Sequence, residues 1–233
     1  ALSFELYSVV TELVDFSSAF AIHRTYVKNR LNAILQRVIG TPFVYLQEFG
    51  SVATGLLTPF SDLDLVMRHT NSQEREHQIY LLNIFSSELS KHQFIVNQTP
   101  VLAATVPVLK LEIDPSIPFE DFPKPSTKFT VKTDIIVEQL DMLEAYSVAI
   151  RTTEFTLWCI QNQPTFFEVV LLLKFALASN GISNAYKGKL TRWPQCILTR
   201  TALLRIPAKR QHGKLHHNRR TFIQICELSR LSI

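Results

Sequence analysis

The sequence predicts an α+β fold, a mixed sheet backed by helices and followed by a second, helical domain. Three observations carry this. Residues 61–67 and 129–137 alternate apolar and polar side chains with a period of two, the mark of half-buried strands. Residues 3–39 and 74–92 place apolar side chains three and four apart, the spacing of amphipathic helices. From Gln139 onward the helical period returns, most clearly over 166–180.

Taken in order, residues 3–20 and 22–39 predict two helices, the second carrying Val27, Leu31, Ile34, Leu35 and Val38 on one face and stopped by Gly40 and Pro42. Residues 43–49 are β-branched and aromatic and predict a strand, which runs into Gly50-Ser51 and a helical turn. The strand over 61–67 sets Asp62 and Asp64 on one face. The helix over 74–92 has Ile79, Leu82, Ile84 and Leu89 among its apolar positions, and residues 101–113 predict one or two strands split at Pro107. Four prolines make 115–127 a loop, with Glu112, Asp114, Glu120 and Asp121 giving its surroundings an acidic surface suited to a partner contact. The last strand carries Asp134 on the face opposite Val131, Thr133 and Ile135.

The composition limits the alternatives. With 233 residues, 46% of them hydrophobic, and 6 glycines, the chain can bury a full core. Its net charge of +4 is unevenly placed, because Arg200 to Ile233 holds eight basic residues and one acid, leaving the rest of the chain acidic. Cys159, Cys196 and Cys226 lie far apart without a C-x-x-C pair, so neither a disulfide framework, a disulfide-linked partner nor a cysteine-rich zinc site is expected. The cluster His212, His216, His217 and Cys226 fits no standard zinc spacing and reads as a solvated basic segment. Apolar runs such as Val169 to Leu173 fall far short of the roughly 20 residues of a membrane span, and the front end lacks the basic start of a signal peptide.

The chemistry concentrates in residues 49–65. A helix N-terminus after Gly50-Ser51 offers free backbone N–H groups and one hydroxyl, a suitable seat for the outer phosphates of a triphosphate. Two carboxylates at i and i+2 on one strand repel each other unless a cation neutralises them. Asp62 and Asp64 in this arrangement suit two magnesium or manganese ions, with Asp134 on a neighbouring strand completing the ligand set. Taken alone, a D-x-D pair also suits a solvated sheet edge, and a lysine ending an apolar helical face also suits a side chain reaching for solvent.

Together, in this order and spacing, these residues resemble the signature of the DNA polymerase beta superfamily of nucleotidyltransferases. The stretch Ala104 to Leu111 followed by Val131 to Ile136 looks like the paired strands that present the third Asp in the noncanonical poly(A) polymerases, the RNA terminal nucleotidyltransferases. Pro164 to Leu190 looks like their helix and loop, with Lys174 at the position of a triphosphate-binding lysine. Lys110 reads as an ordinary exposed sheet residue and stays outside the predicted site. The resemblance covers about residues 3–190.

The resemblance implies template-independent transfer of a nucleotide, AMP from ATP above all, to the 3′-hydroxyl of RNA, as in polyadenylation for surveillance and decay. Asp62, Asp64 and Asp134 would be catalytic and metal-binding, with Gly50, Ser51, Lys174 and Trp193 binding the nucleotide. It also implies RNA 3′ ends and surveillance proteins as partners, no membrane, and a nuclear location with the cytoplasm as alternative. Residues 1–20 would form a helix packed on the helical domain, 21–150 the catalytic head, 151–198 a partial helical domain and 199–233 a basic tail, so that the helical domain looks incomplete at its C-terminal end. Departures exist: Lys189, Arg192 and Trp193 stand where relatives carry Gly and a Ser-Tyr pair, and Pro194 follows where they continue a helix. Three alternatives therefore stand beside the main reading: a uridylyl-adding relative, a catalytically incomplete RNA- or partner-binding homologue, and an enzyme of the same superfamily acting on a small molecule.

Overall fold

The computed structural model describes residues 2–40, 44–69, 74–117, 130–139, 148–163 and 165–181. The chain divides into two compact units. One comprises Ser18–Ala53 and Ser61–Arg151 and holds the sheet; the other comprises Ala1–Ser17, Thr54–Phe60 and the described chain from Thr152 onward.

The sheet unit contains helices α2 (Ala21–Ile39) and α4 (Arg75–Leu89), the first residues of the single turn α3 (Ser51–Thr54), and strands β1 (Tyr45–Glu48), β2 (Leu63–His69), β3 (Ile95–Val101), β4 (Val108–Ile113) and β5 (Val131–Gln139). The strand order is β1-β2-β5-β4-β3. Only β2 and β5 run parallel; the other neighbours are antiparallel, so the sheet is mixed as the sequence predicts. α2 ends where Gly40 takes a left-handed φ of 68° and its N–H bonds the Gln36 carbonyl, a conformation glycine adopts without steric cost.

Period-two patterning divides the sheet into a dry face and a polar one. Leu63, Leu65 and Met67 of β2, Leu109, Leu111 and Ile113 of β4, and Val131, Ile135 and Val137 of β5 pack against Val27, Leu31, Ile34 and Leu35 of α2 and Leu82, Phe85 and Leu89 of α4. Each large apolar side chain buried there stabilises the fold by about 1.5–3 kcal/mol before the entropy of ordering it is counted. The intervening residues, Lys110, Glu112, Lys132 and Asp134, occupy the other face.

Two local expectations differ from the structure. The strand pair near Pro107 is β3 and β4, and β3 lies earlier than the 101–113 window, over Ile95–Val101. Asn97, Gln98 and Thr99 dilute its apolar pattern, as an edge strand with little burial permits. Residues after it form a turn that Arg75 fixes by donating to the carbonyls of Leu102, Ala104 and Thr105 at 2.7–2.8 Å. The strand expected over 61–67 begins at Leu63, leaving Asp62 just before it. Most of the Pro-rich loop, residues 118–129, lies outside the described residues.

The helical unit carries most of α1 (Leu2–Ala19) and of α5 (Val148–Asn162), and all of α6 (Phe166–Ser179). Val10 and Leu13 of α1 and Leu56 pack with Cys159 of α5 and with Phe166, Val170, Leu171 and Leu172 of α6. The segment Thr54–Phe60 joins this unit, a chain crossing that the hydrophobic pattern of the sequence does not announce.

Arg30 carries a charge into the sheet unit's core. Arg30 is fully buried, its guanidinium 3.7 Å from the centroid of Phe94 and 5.1 Å from that of Tyr26, and it donates to the Ile117 carbonyl at 2.8 Å. A planar fork can stack and donate at once, whereas a lysine ammonium cannot. Replacing Arg30 by lysine is expected to cost about 2–3 kcal/mol of unfolding free energy, from lost stacking and a misplaced buried charge. Urea unfolding followed by circular dichroism checks this; a loss below about 0.5 kcal/mol would show the stack to be incidental.

Candidate active site

The polar face of the sheet gathers the predicted carboxylates by register. β2 pairs in parallel with β5 so that Asp64 and Asp134 are direct Cα partners, on strands that neighbour at about 4.8 Å. Asp62 stands one residue ahead of β2. A cavity of about 300 Å³ opens on this face, lined by Asp62, Asn97, Thr99, Lys110, Glu112, Lys132 and Asp134, with Leu111 between. Asp64 is itself buried at 7% exposure.

The electrostatics follow from that crowding. Burial, and after it the negative charges of Asp134 and Asp64, push the Asp62 carboxyl up to about 6, while Lys110 and Lys132 pull it down. Three carboxylates therefore share one electrostatic neighbourhood, and the two lysines only partly neutralise it. A divalent cation would relieve the same repulsion, so the donor set, all hard oxygen, fits magnesium or manganese. As the side chains stand, no three acidic, His or Cys side chains among the described residues close on a common ion position. The Asp134 carboxylate is instead paired with the Lys110 ammonium across the β4–β5 ladder.

The Gly-Ser turn takes its expected place at the end of β1. The ladder is extended by Phe49, whose N–H bonds the Asp64 carbonyl at 3.1 Å, and Gly50 then reverses the chain at φ 65°. Ser51 opens α3 and is buried at 1% exposure. The helix that follows is a single turn, Ser51–Thr54, so any anion seat there relies on individual N–H groups and the hydroxyl rather than on a long aligned dipole.

Lys174 lies on α6 in the helical unit, where its ammonium donates to the backbone carbonyl of Leu56. Trp193, Gly188 and Arg192 lie outside the described residues. Sequence reasoning missed Lys110, Asn97, Thr99, Glu112 and Lys132 as members of the site. For Lys110 the signal was present, since alternation along Val108–Ile113 puts it on the polar face; what no local pattern supplies is the pairing Lys110↔Asp134.

The raised Asp62 carboxyl makes a stability prediction for the metal-free protein. An acid held above its unfolded-state range binds more protons when folded, so its contribution is favourable at acid pH and is lost as pH rises through about 6. The Asp62→Asn variant should therefore lose less thermal stability than the parent protein between pH 5 and pH 7 in chelator. Melting curves at the two pH values test this, and parallel losses in both proteins would refute it.

No curated protein sequence matches the chain. Among solved structures, the chain is similar to the Cid1 poly(U) polymerase, bound to MgATP in one case (20% identity, TM-score 0.66, 89% of this chain and 57% of that one) and to MgGTP in another (21%, 0.63, 85% and 54%). It is also similar to the polymerase core of TRAMP, an RNA surveillance complex (19%, 0.63, 94% and 64%). These likenesses establish a shared fold, over 54–64% of the length of those chains. Residues 6–146, more than half of the chain, match the family described as Poly(A) RNA polymerase, mitochondrial-like, central palm domain, and the chain belongs to that family.

Proposed function

We propose that the protein transfers a nucleotide without a template, AMP from ATP, to the 3′-hydroxyl of RNA. The 3′-oxygen bonds to the α-phosphorus, the bond to the β-phosphate bridging oxygen breaks, pyrophosphate leaves and the hydroxyl proton is released. The observation that carries this reading is the in-register pairing of Asp64 with Asp134, beside a desolvated Asp62 and an open polar cavity.

Divalent metal, when bound, would neutralise the triphosphate and make the 3′-hydroxyl easier to ionise. Asp62 and Asp64 would hold both ions, and Asp134 the one nearer the acceptor oxygen. Ser51 would donate to the outer phosphates, and Lys132 in the cavity lining would attract the acceptor's phosphates. Lys174 and Trp193 keep the nucleotide-binding roles that the family resemblance implies. RNA surveillance and protein partners belong to the same proposal, and the likeness to the polymerase core of an RNA surveillance complex favours them; a nuclear setting is proposed on the family resemblance alone. Likeness to a poly(U) polymerase favours a second reading, in which UMP from UTP is transferred at the same site.

One assay addresses both readings. Purified protein, magnesium and a labelled oligoribonucleotide are combined with each nucleoside triphosphate in turn. Extension is expected with ATP and to fall at least about a hundredfold in Asp64→Ala and in Asp134→Ala, since both remove positioned charge at the reacting centre. Extension with UTP alone would replace the first reading by the second. Equal extension by parent and both variants would overturn the catalytic site.

A further inference from the structure

We propose that Lys110 is a positioning residue that occupies the place of a cation at Asp134, so that a divalent ion enters only by displacing its ammonium. The inference rests on the metal-binding reading above. Three observations lead to it.

The first is the pairing itself. Lys110 and Asp134 are direct partners on antiparallel strands and form an ion pair, with side chains 33% and 26% exposed. At that depth water screens the pair less than it would on an open surface. Secondly, the acidic side chains as they stand do not close on a shared ion position among the described residues, and the Asp134 carboxylate is engaged by Lys110. The lysine and an ion compete for the same oxygen.

The third observation is that the lysine has somewhere to go. β4 and β5 carry a two-by-two block of charges, Lys110 facing Asp134 and Glu112 facing Lys132, in which each charge also has an opposite charge two residues along its own strand. All four line the cavity of about 300 Å³. A displaced ammonium can turn toward Glu112 or into that space without losing a countercharge. With Asp62 and Asp64 included, carboxylates outnumber lysines in this neighbourhood, an excess of negative charge that divalent ions would offset. Lys110 would thus set the ion concentration at which the site assembles, and would keep the metal-free face from carrying an unneutralised Asp134.

The test is Mn²⁺ binding to nucleotide-free protein, read from the disappearance of the free-ion magnetic resonance signal. Lys110→Met and Lys110→Gln are expected to bind the ion about five- to tenfold more tightly than the parent, because a competing cation has been removed. Lys110→Arg, which keeps the charge, should stay within about twofold of the parent. The neutral variants should also melt earlier than the parent in chelator and regain the difference in Mn²⁺. A purely structural lysine would lower stability without raising ion affinity. If both neutral variants bind Mn²⁺ no more tightly than the parent, the competition idea fails while the metal site stands. If folded parent protein retains no Mn²⁺, or if Asp134→Asn retains as much as the parent, the metal reading itself fails.

Discussion

The arrangement of the site depends on one register, that of β2 against β5. A slip of a single residue between these parallel strands would leave Asp64 opposite Thr133 or Ile135 and would turn a core side chain outward. The slip is opposed by the apolar side chains that alternate with the carboxylates, since Leu63 and Leu65 on one strand and Val131, Ile135 and Val137 on the other are all buried beneath α2 and α4. Core packing and carboxylate placement are the same fact seen from two faces. Parallel neighbours also need a long crossover, and the chain between β2 and β5 supplies α4, β3 and β4, which close the dry face and bring Lys110 beside Asp134.

The site is costly in the absence of counterions. Burying like charges raises the energy of their ionised forms, and Asp62 shows it most clearly. Cross-strand lysines offset part of this without filling the cavity, because Lys132 and Lys110 stand in register with Glu112 and Asp134. The remaining imbalance is the physical basis for an affinity toward small hard cations and toward substrates that bring such cations with them.

Much of the sheet unit was legible in the sequence, for a definite reason. β2 and β5 announce themselves by alternation around their aspartates, although β2 is buried on both faces from Leu63 to Met67. The helix stop at Gly40 and the turn at Gly50-Ser51 are equally local, resting on backbone conformations that glycine tolerates. What escaped was information held between distant segments. β3 is an edge strand whose polar residues hide its period, the excursion of Thr54–Phe60 into the helical unit follows from packing on α6 and α1, and the Lys110–Asp134 pair needs an antiparallel register across 24 residues of chain. Lys174 was legible as a lysine of an apolar helix; its bond to the Leu56 carbonyl was not.

The two outer strands of the sheet carry a further implication. β1 spans four residues, and β3 holds Pro100 and a register shift between Ile95 and Asn97. A short rim on one side and a kinked, donor-poor rim on the other make weak templates for a foreign strand. Edge-to-edge stacking of one sheet on another is thereby disfavoured at both rims, which leaves the charged broadside as the sheet's open polar surface.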